Sequence, residues 1–104
     1  MKRTFFLIIP LVSFQIITAQ QVNVKGKVLN SSGNPVPYVN VIVENTQLGT
    51  TTDEEGNFSL YVTQLPTVLT FSHISYEEKK VKVVDQEFLT ITLKEKEQWD
   101  TLDG

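Results

Sequence analysis

Three observations predict an all-β fold, a small sandwich of about seven strands. Short runs alternate apolar and polar residues, as in Val39, Val41 and Val43, and in Phe58 and Leu60. That period of two puts each apolar set on one face of a strand. Turn chemistry separates the runs: Asn30-Ser-Ser-Gly-Asn-Pro35 after the first, Asp53-Glu-Glu-Gly56 before the fourth. Gly33 and Gly56 supply the positive φ that such turns require. No stretch after the first twenty residues carries apolar positions at i, i+3, i+4 and i+7, so helices are not expected there.

Taken in order, the runs predict strands over Val22–Leu29, Val39–Glu44, Leu48–Thr52, Asn57–Val62, Val68–Ser72, Glu78–Val84 and Phe88–Leu93. Short strands with regularly spaced turns indicate a sandwich or barrel rather than a βαβ arrangement. In the first strand Val22, Val24 and Val28 share a face opposite Asn23, Lys25 and Lys27. Gly26 interrupts the apolar set, which signals a bulge or a close backbone approach. Leu69 and Phe71, Val81 and Val83, and Leu89, Ile91 and Leu93 face the core by the same phase. Lys80, Lys82, Thr90 and Thr92 then face water, and the lysines around Val81 would guard an edge strand.

The first nineteen residues read as a leader. Lys2 and Arg3 precede the apolar run Phe5–Ile17, and Ala19 offers a small residue at the cleavage point. The run is too short for a span, which takes about 20 apolar residues, and Pro10 and Gln15 interrupt it. Export with cleavage leaves no transmembrane span. Residues 20–93 form the domain, and 94–104, KEKEQWDTLDG, loses the alternation and reads as a disordered tail or linker.

Composition excludes several chemistries. The chain has no cysteine, hence no disulfide, no thiolate metal site and no lipidated lipobox. Its formal net charge is −3 and becomes more negative once Lys2 and Arg3 are removed, which argues against nucleic acid as a partner. His73 is the single histidine, so a metal cluster or acid–base pair lacks its partners. Counting Asp53 as the first position of a calcium loop, the twelfth is Gln64 rather than the bidentate glutamate, and Asp53, Glu54 and Glu55 read as a solvated turn. Ser31, Ser32, Ser59, Ser72 and Ser75 lie in no Gly-x-Ser-x-Gly elbow. Tyr38, Tyr61, Tyr76 and Trp99 could stack on sugar rings, with Tyr61 out of phase with the core. Asn30 and Asn57 match the glycosylation sequon but read as turn and strand residues. The sequence therefore predicts no catalytic, cofactor-binding or metal-binding residue.

Four blocks in fixed order carry a resemblance. They are Gly26-Lys27-Val28, then Gly33 to Val41 (GNPVPYVNV), Gly49 to Phe58 (GTTTDEEGNF) and Leu69 to Tyr76 (LTFSHISY). Together they resemble the carboxypeptidase regulatory-like domain found at the N-terminus of many TonB-dependent outer-membrane receptors. The resemblance covers nearly all of Val22–Leu93, with Phe58 at the family's aromatic position and Ser75 where the family has glycine. It implies a prealbumin-like, Greek-key β-sandwich with an accessory or docking role and no catalytic residues. A ureide hydrolase of the same fold relies on several histidines and an arginine, which the chain after its leader lacks. Leu102-Asp103 is similar to the start of a TonB-box linker, and Gly104 follows.

The expectation is a non-enzymatic, exported module, periplasmic or outer-membrane associated, that meets a protein partner as the N-terminal extension or remnant of such a receptor. Two alternatives stay open: a carbohydrate-binding module, and an accessory domain of a zinc carboxypeptidase.

Overall fold

The computed structural model describes residues 21–97. The leader assigned to residues 1–19, Trp99 and Leu102-Asp103 lie outside the described residues. Seven strands follow in order: β1 (Val22–Asn30), β2 (Asn40–Val43), β3 (Gly49–Thr51), β4 (Asn57–Val62), β5 (Thr67–His73), β6 (Tyr76–Val83) and β7 (Leu89–Leu93). Each lies where the alternation predicts it, β4 with the same bounds and the others with ends shifted by at most two residues.

The strands form two sheets, one ordered β4-β1-β7 and the other β3-β2-β5-β6. β1 pairs antiparallel with β4, Val24 opposite Leu60, and parallel with β7, Val28 opposite Ile91. In the second sheet every pairing is antiparallel, with Val41 between Thr50 and Phe71. Among the described residues no helix is long and apolar enough to cross a membrane.

The core lies between the sheets. Val24, Val28, Leu60, Val62, Ile91 and Leu93 from the first meet Val41, Val43, Leu69, Phe71 and Val83 from the second, all buried. Phe58 and Phe71 touch edge to face across the layers, with ring centroids 5.5 Å apart, a geometry that the ring quadrupoles favour. Val22, Val81 and Leu89 are half-buried and pack against this cluster.

Gly26 marks a close approach and not a bulge, since β1 keeps continuous register with β4 through Lys27. A Cβ there would stand 2.5 Å from the Leu89 carbonyl oxygen and 2.6 Å from the Phe58 ring. The ring thus covers the strand position that lacks a side chain, as aromatics do for strand glycines.

Both Asx turns use one pattern. Asn30 Oδ1 accepts from the N–H groups of Ser32 and Asn34, and Asp53 Oδ1 accepts from those of Glu55 and Asn57. In each, the glycine three residues on donates to the carbonyl of the first residue and has positive φ, 85° at Gly33 and 77° at Gly56. The side chain substitutes for a backbone acceptor, which is why Asn or Asp opens such a loop.

At the other side of the sandwich the two sheets are stitched together. Lys79 Nζ donates to the Thr92 carbonyl at 3.1 Å. Lys94 to Lys96, assigned to the tail from sequence, pair with the start of β6: Glu77 N–H donates to Lys94 C=O at 2.8 Å and Lys96 N–H to Ser75 C=O at 3.0 Å. Backbone pairing needs no apolar side chain, so loss of alternation hid this antiparallel bridge between Glu95 and Tyr76.

Candidate interaction surface

β1 and β4 present their odd-numbered residues to solvent, and these, with Thr50 and Thr51 of β3 and Asp53 beside them, line a shallow, open concavity of about 740 Å3. Asn23 and Lys25 come from β1, Asn57, Ser59 and Tyr61 from β4, and Phe88 from the turn entering β7. Ser59 Oγ donates to Asn23 Oδ1 at 2.9 Å, fixing the two side chains across the strands. Tyr61 and Phe88 are 56% and 62% exposed, so two aromatic faces flank a polar floor. The volume suits a small ligand, but the lining is more polar than ligand pockets usually are.

Tyr61 is the one tyrosine of the four weighed aromatics that lines this concavity. Tyr38 is exposed elsewhere, and Tyr76 is half-buried with its ring edge-on to His73 at 5.2 Å. Phe88, taken from sequence as the start of the last strand and out of phase with Leu89, Ile91 and Leu93, lies just before β7 and is exposed.

His73 closes the β5–β6 hairpin. Its Nδ1 accepts from the Ser75 N–H at 3.0 Å, so the ring braces a turn whose tip, Ile74, is exposed. Neither Ile74 nor Ser75 has positive φ, and serine therefore fits where the resemblance places glycine. Ser31 and Ser32 sit on the Asn30 turn, Ser72 lies within β5 and Ser59 is bonded to Asn23. The Asp53 carboxylate is occupied by its own turn. Among the described residues no three of His, Cys, Asp and Glu are grouped to hold a metal ion.

Sequence reasoning missed Thr52, the one buried polar residue among the described residues. Its hydroxyl accepts from Val39 N–H and donates to Val36 C=O, both at 2.8 Å. Its own carbonyl accepts from Tyr38 N–H at 3.1 Å. These bonds hold Tyr38 at φ 61°, a region that bulky residues seldom enter. The last of the three threonines in Gly49-Thr50-Thr51-Thr52 gave no pattern that distinguished it.

The class defined by these features is a small two-sheet β-sandwich domain with an open polar face. The family model of the CarboxypepD_reg-like domain matches residues 24–103, and the chain belongs to that family. It is 35% identical over 92 residues to TonB-dependent receptor P39 of Formosa agariphila, covering 86% of this chain and 9% of that receptor. TonB-dependent receptor P3 of the same organism is 32% identical over 94 residues, 89% of this chain and 9% of its own length. TonB-dependent receptor SusC of Bacteroides thetaiotaomicron is 41% identical over 68 residues, 65% of this chain and 7% of that receptor. The chain thus spans less than a tenth of the length of these curated relatives.

Proposed function

We propose that this chain is a non-enzymatic, exported docking module that works with TonB-dependent receptors at the outer membrane, as the N-terminal extension of such a receptor or its remnant. One observation carries the reading: the three relatives are all TonB-dependent receptors, and the part they share with this chain is a sandwich with a core of its own. A self-contained module joined to a far larger receptor acts by contact, through strand edges, loop ends or the open face of β1 and β4. Its partner is then a protein in the periplasm or at the outer membrane.

Cell fractionation with an antibody raised against the domain tests this. A band in the outer membrane or periplasm, at receptor size or at the size of this chain, is expected. A band confined to the cytoplasm overturns the reading.

A second reading has a specific observation in its favour. Tyr61 and Phe88 flank Asn23 and Asn57 in one concavity, the pairing of ring faces and amides that binds sugars. Affinity electrophoresis against neutral soluble glucans and galactans decides it: retardation abolished by Tyr61→Ala supports a carbohydrate site, and unchanged mobility in every gel removes it.

A further inference from the structure

Four strands, β3, β4, β6 and β7, end the two sheets, and they are protected unequally. β6 carries Glu77, Glu78, Lys79, Lys80 and Lys82, the charges that keep an edge from pairing with another chain. β7 has its Thr92 carbonyl bonded by Lys79, and the chain beyond it closes on the start of β6. β3 is three residues long. β4 reads Asn-Phe-Ser-Leu-Tyr-Val, with no charge, no proline and no bulge in its pairing with β1.

The phase of β4 is fixed by Val28 N–H donating to Gly56 C=O at 2.8 Å. Bonding to one neighbour recurs at every second residue of an antiparallel ladder. Phe58, Leu60 and Val62 therefore bond β1, and residues 57, 59 and 61 turn their peptide groups to the open side. Asn57 is already satisfied, its N–H by Asp53 Oδ1 and its C=O by Asp53 N–H, both at 2.9 Å. Ser59 and Tyr61 keep an outward N–H and C=O each, with no bond to another described residue.

We infer that β4 is the pairing edge for a second copy of this chain, joined antiparallel about Leu60. Ser59 and Tyr61 are symmetric about that residue. Ser59 of one copy opposite Tyr61 of the other satisfies both peptide groups of each residue, making four hydrogen bonds across a two-fold axis. Such an isologous contact needs a self-complementary strand, and β4 is one. Charge agrees with this arrangement. The exposed Asp53, Glu54 and Glu55 lie at the start of β4, so antiparallel copies hold their acidic turns at opposite ends of the joint. Each turn then faces the neutral Thr63 and Gln64 of the other copy. A parallel pairing would set the two acidic turns side by side. The joined sheet runs β7-β1-β4-β4-β1-β7, and each half-exposed Tyr61 ring lies beside Ser59 of its mate.

Sedimentation equilibrium of the full chain, from micromolar to millimolar, tests this beside two variants. Ser59→Pro removes an N–H that the monomer does not use, and proline is tolerated at an outward edge position. Tyr61→Lys adds a charge to the edge without touching the backbone. The parent is expected to rise toward twice its monomer mass, and both variants to stay at monomer mass with circular dichroism like the parent's. A parent that stays monomeric throughout overturns the inference. So does a folded Tyr61→Lys variant that associates as the parent does, and that arm decides the matter if Ser59→Pro fails to fold.

Discussion

Thr52 and Val39 bond each other twice: the Val39 N–H donates to Thr52 Oγ1 at 2.8 Å, and the Thr52 N–H donates to the Val39 carbonyl at 3.0 Å. The same hydroxyl donates to the Val36 carbonyl, so one buried side chain ties the Val36–Val39 loop to the end of β3. The loop enters β2 at Asn40, and its path sets the phase of Val41 and Val43 in the core.

Thr52→Val keeps the shape of the side chain and strands the Val39 N–H and the Val36 C=O in the interior. Leaving a buried donor or acceptor unpaired costs about 1–3 kcal/mol. Chemical denaturation should show a loss in that range with an unchanged m-value. Thr52→Ser retains the hydroxyl and should recover most of it. Equal stability of the valine variant and the parent would mean that water reaches the loop.

Phe58→Ala should be among the most damaging single changes. The ring fills the space beside Gly26 and meets Phe71 edge to face, and truncating a buried phenylalanine costs about 3–5 kcal/mol. A thermal melt resolves this readily, since about 1 kcal/mol moves the Tm of a domain this size by about 4–8 °C. A melt like the parent's would refute the packing described for β4.

The Asp53 turn makes a paired prediction. Asp53→Ala deletes an acceptor shared by the Glu55 and Asn57 N–H groups and should cost about 1 kcal/mol. Glu54→Ala, one residue on, removes an exposed side chain with no bond among the described residues and should change stability by less than about 0.5 kcal/mol. Urea titration of the two variants side by side checks the contrast.

What the sequence made legible was local. Alternation placed all seven strands and the inward sets Leu69 and Phe71, and Ile91 and Leu93, because a strand's period of two is written in its own residues. Gly33 and Gly56 announced their turns for the same reason. Partnership is not local: that β1 lies between β4 and β7, parallel to the latter, follows from how two apolar faces close on each other. The role of Thr52 depends on a loop N–H thirteen residues away and a loop carbonyl sixteen residues away. The order at Lys94–Lys96 comes from peptide groups that any residue carries. The open face was half legible: phase turned Tyr61 and Phe88 away from the core, while their meeting in one concavity depends on β4 and β7 flanking β1.

Gly26 and Phe58 give the last test, a double-mutant cycle. A methyl at residue 26 would meet the Phe58 ring at 2.6 Å and the Leu89 carbonyl at 2.5 Å, so Gly26→Ala overpacks the site and should cost about 1–3 kcal/mol. With Phe58→Ala in the background the ring clash disappears and only the carbonyl contact remains. Contacting residues couple by about 0.5–3 kcal/mol, and here the sign is fixed: Gly26→Ala should cost less in the truncated background than in the parent. Gly33→Ala serves as the reference, since no atom lies within 4 Å of its added Cβ and its cost is backbone strain alone, independent of residue 58. Additivity in the Gly26 cycle would mean that β7, through the Leu89 carbonyl, and not the ring, enforces glycine at this strand position.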